Sequence, residues 1–299
     1  MNIVTLLPSA TEMACALGLQ DSLVAVSHEC DFPAEVASLP KITSSIIPHD
    51  LSAGQIDQAV MAAIRRGEAL YQVDGDLLKT LNPDLIVTQG LCDVCAVNAG
   101  TVQETLMFLP DVMADVQVLS LTAQNFAGIL KDLEQIAQVM GREPVAAQLR
   151  ENLEHRWQQL STTQPSHKPK VLMLEWPDPF FYGGHWVPEM VVVAGGIDVM
   201  GQVGRDSGRC TFAEIQAQDP DVIISMACGY DLAGNVEFAT QLAAKPDFGS
   251  LRAVQNHQLW AMDANSYCSR PAPRIVDGAE KLQFIFNHGG QGIEGIQRL

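Results

Sequence analysis

Apolar and polar positions follow two periods that alternate along the chain. Short runs of β-branched and aliphatic residues are followed by longer segments in which apolar residues recur at helical spacing. This alternation predicts an α/β fold whose parallel sheets are assembled from strand–helix–strand units. The runs that we predict as strands lie at residues 3–7, 23–27, 85–88, 116–119, 171–174, 222–225 and 259–262.

One long segment in the middle of the chain carries no strand pattern. Thr122 is suited to cap a helix that runs to Met140 and ends at Gly141, and a second helical pattern starts at Glu143. A helical segment between two strand-rich halves predicts two α/β lobes joined by a helical connection. The predicted domains are an N-terminal lobe at 1–122, a connecting helical segment at 123–165, a C-terminal lobe at 166–288 and a flexible tail at 289–299.

A weak internal repeat supports two similar lobes. Residues 82–88 match residues 219–225, because in each half a Pro-Asp turn closes a helix and a buried parallel strand follows. A cysteine lies within a few residues of each strand end, Cys92 with Cys95 in the first half and Cys228 in the second. We therefore expect two related lobes that face each other.

The charge balance excludes two classes of partner. The 299 residues include 35 Asp and Glu against 18 Lys and Arg, which gives a formal net charge of −17. A surface this acidic does not suit nucleic acid phosphates or an anionic membrane leaflet. No apolar run approaches the ~20 residues of a membrane-spanning helix, so we expect neither nucleic acid binding nor membrane insertion.

The start of the chain and its cysteines bear on the compartment. The first residues enter a strand pattern at once and contain neither the basic region nor the cleavage site of a secretory signal. Seven cysteines, an odd number scattered over a long chain, argue against a disulfide framework and for reduced thiols. We therefore expect a cytoplasmic protein, or a periplasmic one if a leader precedes residue 1.

The unusual residues of the sequence cluster where the predicted strands end. Parallel α/β sheets form their ligand crevices at the carboxyl ends of the strands. The segments that follow predicted strands here carry His, Cys, Glu, Trp and Arg side chains, at 27–31, 89–95, 175–178, 227–229 and 263–270. This coincidence predicts a small-molecule binding site built from those segments.

Cysteine and histidine in these segments leave metal binding open. Cys92 and Cys95 form a Cys-x-x-Cys pair that suits half a zinc site or a redox pair. Unligated thiols lining a pocket are favoured, because no second cysteine pair follows. His28 and Cys30 can add two ligands if the strand has ended before them. His185 lies where a loop enters a helix, so it either touches a ligand or hydrogen-bonds the loop.

An acid and two candidate cations complete the set. Glu175 ends an apolar strand, where burial favours the neutral acid unless a cation meets it. Arg209 and Arg270 are candidates for that cation, or for binding a carboxylate or phosphate of a ligand. The sequence contains no Walker, Gly-x-Gly-x-x-Gly, Gly-x-Ser-x-Gly or His-Glu-x-x-His motif. The sequence therefore contains none of these motifs for phosphoryl transfer, hydride transfer or serine hydrolysis.

These residues together resemble a known family, the class III substrate-binding proteins of iron-siderophore and cobalamin ABC importers. Residues 3–18 are similar to the first strand and helix of that family, and its later landmarks match residues 82–87, 219–224 and 269–274. Within the family the chain looks most like the leaderless cobalamin-binding proteins. Their motifs match residues 28–31, 91–96, 175–176, 184–189 and 228–229.

The resemblance implies two Rossmann-like lobes with parallel sheets, a long helical backbone joining them, and a ligand cleft between them. It also implies binding of a corrinoid such as cobalamin, or of another metal chelate, without catalysis. An ABC permease is the implied partner if the protein is exported. The residues expected to contact the ligand are Glu29, Gln89, Cys92, Cys95, Glu175, Trp176, His185, Trp186, Cys228, Tyr267 and Arg270.

The expected pocket differs from that of the cobalamin binders in the family, which hold the corrin ring with aromatic side chains. The corresponding positions here are Glu29, Ser44 or Ser45, Gln89, Glu175 and Ser207. The resemblance therefore implies a polar, thiol-bearing pocket. Ring contacts would then come from Trp176, Phe180, Trp186 and Tyr267.

Two other functions stay open at this point. The first is direct binding of a transition metal, with His28, Cys30, Cys92 and Cys95 as ligands and Glu29 or Glu175 completing the shell. The second is an enzyme in which Cys92 or Cys228 is the nucleophile, His185 or His28 is its base, and Glu175 orients or transfers a proton. No spacing in the sequence is diagnostic of such a catalytic pair.

Overall fold

The computed structural model describes residues 1–48, 50–90, 116–163, 165–288 and 293–299. The chain divides into two compact units. The first comprises Met1–Ala123 and Ala127–Leu149, and the second comprises Gln124–Phe126 and Arg150–Leu299. Both units combine helices with a sheet whose central strands run parallel, which confirms the predicted α/β fold class. No helix among these described residues is long and apolar enough to cross a bilayer.

The first unit is built on a parallel sheet and a separate antiparallel strand pair. In chain order its described strands are β1 (Ile3–Thr5), β2 (Leu23–Val26), β3 (Thr43–Ser45), β4 (Tyr71–Val73), β5 (Leu85–Gln89) and β6 (Gln117–Leu121). The parallel sheet has the order β2-β1-β5-β6, and β3 pairs with β4. Every residue of the central strands β1 and β5 is buried, as in parallel sheets covered on both faces. Such strands give the continuous apolar runs that the sequence displays.

Five α-helices accompany or follow this sheet in the part of the first half that the structure describes. They are α1 (Pro8–Ala16), α2 (Ala53–Arg66), α3 (Gly75–Leu81), α4 (Phe126–Met140) and α5 (Glu143–Thr162). Helix α2 begins with a reciprocal capping box between Ser52 and Gln55 and ends at Gly67, whose φ is 68°. Helices α4 and α5 confirm the predicted helix pair, with Gly141 between them at φ 64°.

Helix α4 begins later than the sequence predicted. The Asp132 carboxylate accepts the backbone N–H groups of both Thr122 and Ala123, at 2.9 Å each. Thr122 is therefore not the cap of the helix. Glu189 Oε2, from a residue 63 positions away, accepts the N–H of Phe126 at 2.7 Å and so takes the capping role. Pairwise spacing along the chain cannot reveal a cap of this kind.

Asp132 should make the stability of the protein depend on pH. Burial raises the pKa of this carboxyl to about 6, although the two N–H groups that it accepts favour the charged form. The folded state therefore holds the proton more tightly than the unfolded chain, and stability should rise as pH falls from about 6 toward 3.8. Asp132→Asn keeps an acceptor oxygen without the charge, so its melting temperature at pH 8 should exceed that of the wild type. An unchanged pH profile between 4 and 6.5 in this variant would contradict the assignment.

The second unit is built on a larger mixed sheet. Its described strands are β7 (Lys170–Pro177), β8 (Phe180–Tyr182), β9 (Ile197–Asp198), β10 (Gly208–Arg209), β11 (Val222–Ser225), β12 (Leu259–Met262) and β13 (Ile296–Arg298). The order is β10-β8-β7-β11-β12-β13, and β9 also pairs with β7. Strands β7, β11 and β12 run parallel and form the centre, while β8, β10 and β13 are antiparallel to their neighbours. The three central strands are those that the sequence predicted.

Helices cover this sheet and enclose its core. Those that follow β7 in the described residues are α6 (Val187–Val193), α7 (Phe212–Gln218), α8 (Leu232–Ala243), α9 (Pro246–Gly249), α10 (Arg252–Gln255), α11 (Ala264–Tyr267) and α12 (Ile275–His288). Leu172 and Ile223 of the sheet pack with Leu242 and Phe248 of the helices in one buried cluster. Burial of such side chains is the main source of stability for the unit.

The last residues of the chain belong to the sheet. Strand β13 pairs antiparallel with β12, with Ile296 opposite Met262 and Arg298 opposite Trp260. Ile296 is buried, and the Arg298 guanidinium lies 5.9 Å from the centre of the Trp260 ring. The prediction of a flexible tail over 289–299 is therefore wrong for these residues. A three-residue edge strand after a glycine-rich segment is too short for its pattern to be visible in the sequence.

Candidate functional site

Two loops of the second unit interlock at one edge of its sheet. A Cβ atom added to Gly184 would lie 2.4 Å from backbone atoms of Asp206 and Ser207, so only glycine allows this approach. His185 donates its N–H to the Arg205 carbonyl at 2.5 Å and accepts the N–H of Gly204 at 2.9 Å. These two bonds hold His185 in the left-handed region at φ 53°, a conformation that costs energy for a residue with a Cβ.

The interlocked loops place the Ser207 hydroxyl against the carboxylate of Glu175, which was predicted as a site residue from the sequence. The Ser207 hydroxyl donates to Glu175 Oε2 at 2.7 Å, and its oxygen accepts the N–H of Gly184 at 3.1 Å. The partly buried Glu175 carboxylate is thus positioned by a residue 32 places along the chain. A carboxylate held in this way is suited to accept hydrogen bonds from a bound molecule.

His185 stands beside this carboxylate loop, and one of its ring nitrogens has no hydrogen-bond partner among the described residues. That atom is the buried Nδ1, and it lies 3.9 Å from Asp206 Oδ1. Burial lowers the pKa of His185, although the Asp206 charge acts in the opposite direction. The ring is therefore neutral at neutral pH. It stacks on Trp186 at a centroid distance of 5.6 Å, and Trp186 donates its indole N–H to the Cys268 carbonyl at 2.7 Å.

Three aromatic side chains gather at the carboxyl ends of β7 and β11. Trp176 lies 5.9 Å from Tyr230 and 6.4 Å from Phe238 between ring centres, and Tyr230 meets Phe238 edge-on at 4.7 Å. All three are partly exposed. We call them the aromatic cluster. Trp176 was predicted as a site residue, whereas Tyr230 and Phe238 were not, because Phe238 lies on a helix where apolar spacing predicts core packing.

Cys228 connects the aromatic cluster with Glu175 through the backbone. Its N–H donates to the Glu175 carbonyl at 3.2 Å, two residues before Tyr230. The buried Asn235 fixes this loop, because its Oδ1 accepts the N–H of Ala227 at 2.5 Å and its amide donates to the carbonyls of Tyr230 and Asp231. The structure thus brings together Glu175, Trp176 and Cys228 of the predicted set.

The remaining predicted residues of the second unit have other surroundings. The Tyr267 ring lies under the Lys281 ammonium at 4.4 Å and against Gly295, where an added Cβ would meet the ring at 2.2 Å. Tyr267 therefore holds the C-terminal segment in place. Arg270 is buried, with 9% of its surface exposed. Arg209 is exposed, and its guanidinium lies 5.1 Å from the centre of the Phe181 ring.

In the first unit, His28 and Cys30 contact different elements. His28 Nδ1 lies 2.7 Å from Thr43 Oγ1, and its Nε2 lies 3.3 Å from Glu29 Oε1. Cys30 is buried, and its Sγ lies 3.0 Å from Thr11 Oγ1 on helix α1. Gln89, the last residue of β5, is also buried.

The predicted metal ligands Cys92 and Cys95 lie outside the described residues. Within the ranges that the structure describes, no group of three or more His, Cys, Asp and Glu side chains is arranged to hold a metal ion. Burial raises the pKa of Cys15 and Cys210 to about 11 and raises that of Cys268 further. These three thiols are therefore protonated at neutral pH and unsuited to metal binding or nucleophilic attack.

Comparison with known proteins finds a matching family and several relatives of this chain. A family model described as "Periplasmic binding protein" matches residues 3–266. The vitamin B12-binding protein of Vibrio cholerae is 25% identical over 285 residues, which cover 94% of this chain and 87% of the relative. A Bacillus subtilis protein described as an uncharacterized ABC transporter substrate-binding lipoprotein is 25% identical over 291 residues, covering 94% and 78%.

A solved structure agrees with this comparison at the level of the fold. The periplasmic heme-binding protein from Pseudomonas aeruginosa superposes with a TM-score of 0.72, covering 99% of this chain and 97% of the other. The two sequences are only 16% identical, so the likeness concerns the backbone architecture.

Proposed function

Because this chain belongs to the periplasmic binding protein family, we propose that it binds a planar metal chelate, a corrinoid before any other, reversibly and without chemistry. The family, which supplies ABC importers with substrate, is non-catalytic, so a cysteine-dependent enzyme is not carried further. The Vibrio cholerae relative is named for vitamin B12, and the Pseudomonas aeruginosa protein is named for heme. Both names describe a flat macrocycle around a metal ion.

The observation that carries the proposal is the aromatic cluster at the carboxyl end of β7, the strand that also carries Glu175. Trp176 follows Glu175 directly on β7, and Tyr230 follows β11, so both aromatic rings stand at carboxyl strand ends of one sheet. A planar macrocycle can stack on these rings, and aromatic stacking adds about 0.5–1.5 kcal/mol per pair beyond the buried area. Amide groups at the edge of a corrin ring can donate to Glu175.

His185 supports the same ligand class by its charge state. Burial lowers the pKa of the ring, so a neutral imidazole is present at neutral pH. Its Nδ1, which has no hydrogen-bond partner among the described residues, is a donor if it holds the proton and an acceptor or a metal ligand if Nε2 holds it. The contributions predicted for Glu29, Gln89, Cys92, Cys95 and Arg270 stay predictions.

Removal of the Trp176 ring should weaken ligand binding strongly. We expect Trp176→Ala to raise the Kd for the corrinoid at least about tenfold, which corresponds to ~1.4 kcal/mol of lost stacking. Trp176→Phe should retain affinity within about threefold, because it keeps a ring at this position. The measurement is a visible-absorbance titration of the untagged protein with aquocobalamin, repeated with hemin.

The control for this titration is Ile64→Ala, which removes an apolar side chain that is 47% exposed on helix α2. It should bind like the wild type, and the melting temperature of each variant establishes that it is folded. If mixing the wild type with corrinoids and with hemin produces neither heat nor a change in absorbance, the proposal that the ligand is a planar chelate is wrong. Equal affinity of the wild type and Trp176→Ala would show that the aromatic cluster does not contribute to ligand binding.

The family suggests a protein partner, and whether the chain can reach that partner depends on its compartment. One relative is described as the substrate-binding lipoprotein of an ABC transporter, so an ABC permease is the partner that we propose if the protein is exported. A cytoplasmic location would leave the protein without access to an outward-facing permease. Fractionation of cells that express the gene from its own start codon distinguishes the two.

A further inference from the structure

His28 and Glu29 place an imidazole nitrogen and a carboxylate oxygen side by side in the first unit. His28 Nε2 lies 3.3 Å from Glu29 Oε1. Two donors that bind one metal ion at about 2.1 Å, in tetrahedral or octahedral geometry, are about 3.0–3.4 Å apart. The pair therefore has the separation of two adjacent ligands on one ion.

The other nitrogen of the same ring is held as it is in metal-binding histidines. The Thr43 hydroxyl donates its proton to Ser27 Oγ at 3.1 Å. Its oxygen must therefore accept from His28 Nδ1, which lies 2.7 Å away, and it also accepts the His28 backbone N–H at 3.0 Å. Nδ1 carries the proton, so Nε2 of the neutral ring has the lone pair. A histidine whose second nitrogen is bonded in this way is oriented for metal binding.

The Nε2 atom of His28 faces a carboxylate oxygen of Glu29. Nε2 is buried and has no hydrogen-bond partner in the part of the chain that the structure describes. A metal ion between Nε2 and the Glu29 oxygen would be bound by both atoms. The Glu29 side chain is 44% exposed, so it can move aside to admit an ion from solvent.

Another histidine–carboxylate pair, His167 with Asp221, shows what the His28 arrangement adds. His167 Nε2 lies 3.9 Å from Asp221 Oδ2, and this carboxylate already accepts from Lys170 N–H and from Arg252. This nitrogen and this oxygen are too far apart to be adjacent ligands of one ion. The His167 side chain is also 83% exposed and carries a high entropy cost for ordering.

We infer that His28 Nε2 and the Glu29 carboxylate bind a divalent first-row transition metal ion, at a site in addition to the planar-ligand site of the second unit. Imidazole with one carboxylate suits zinc, nickel, cobalt or iron, and water or a small chelator fills the other positions. Thr43 is the positioning residue. Cys30, the partner of His28 that the sequence predicted, is replaced in this role by Glu29, since the Cys30 thiol contacts Thr11.

The test uses nickel(II) nitrilotriacetate, a chelate that leaves two adjacent coordination positions open. Calorimetric titration of the untagged full chain should give one such site. His28→Ala should raise the Kd at least about tenfold, and Thr43→Val should raise it about tenfold although it removes no ligand atom. Glu29→Gln should also weaken binding, because the amide is a poorer metal ligand.

His167→Ala is the matched control and should change the Kd less than twofold. If His28→Ala does not fold, His28→Gln also removes the imidazole but keeps a polar side chain long enough to reach Thr43. Unchanged affinity in the His28 variant, or an equal loss in His167→Ala, would overturn the proposal. The titration contains neither corrinoid nor heme, and none of its variants changes Glu175, Ser207 or the aromatic cluster, so its failure is distinct from failure of the planar-ligand proposal.

Discussion

Replacement of Gly184 by alanine should destabilise the protein by about 3 kcal/mol, because the new methyl group has no room to form. Its Cβ would lie 2.4 Å from the Asp206 carbonyl carbon and the Ser207 nitrogen, and 2.5 Å from the Arg205 carbonyl oxygen. These are backbone atoms that cannot rotate away. The two loops must separate, and the Ser207 hydroxyl then leaves Glu175. Urea unfolding at equilibrium measures the loss of stability.

Gly229→Ala is the matched control for this effect. Gly229 has a positive φ of 85°, but nothing lies within 4 Å of an added Cβ. Its alanine variant should lose only the cost of the left-handed conformation, about 1 kcal/mol. If both variants unfold at the same urea concentration, the close approach of the two loops is not a determinant of stability. The Gly184 variant should in addition bind the corrinoid more weakly than the wild type at equal protein concentration.

Asn235→Ala should cost a similar amount, about 3 kcal/mol, because it leaves buried polar groups without partners. Asn235 is 0% exposed and binds one N–H and two carbonyls of the loop at residues 227–231. Both Cys228 and Tyr230 lie on this loop. We therefore expect the loop to loosen, and the aromatic cluster to lose its fixed geometry.

A nearby surface residue gives the comparison for Asn235. Thr240 lies on the same helix, and its hydroxyl donates to the Val236 carbonyl at the exposed face. Thr240→Ala should change the free energy of unfolding by less than about 0.5 kcal/mol. Equal stability of the Asn235 and Thr240 variants in urea would mean that the polar contacts of Asn235 do not hold the loop.

The central strands were predictable because they are buried on both faces. The segments at 171–174 and 222–225 carry continuous apolar runs, and the structure places them next to each other in parallel. Strands β8, β9 and β10 have two or three residues and lie at the margin of the sheet. Runs this short have no period of their own, and long-range pairing decides their conformation.

The candidate site was predictable only in part, and for a similar reason. Glu175 stood out because an acid that ends an apolar strand is unexpected, whereas its partner Ser207 belongs to a loop with no pattern. Tyr230 and Phe238 come together across a turn and a helix, which no spacing rule connects. The direction of Cys30, toward Thr11 in the core, depends on how the chain bends after β2.

The most direct measurement of the central claim is the position of the ligand's metal in crystals of the protein grown with aquocobalamin. Anomalous scattering at the cobalt edge locates that metal without reference to the rest of the map. We predict one strong cobalt peak, with the corrin ring stacked on Trp176 or Tyr230 and an edge amide bonded to Glu175. A fully occupied cobalt peak elsewhere on the second unit, away from the aromatic cluster, would contradict the account.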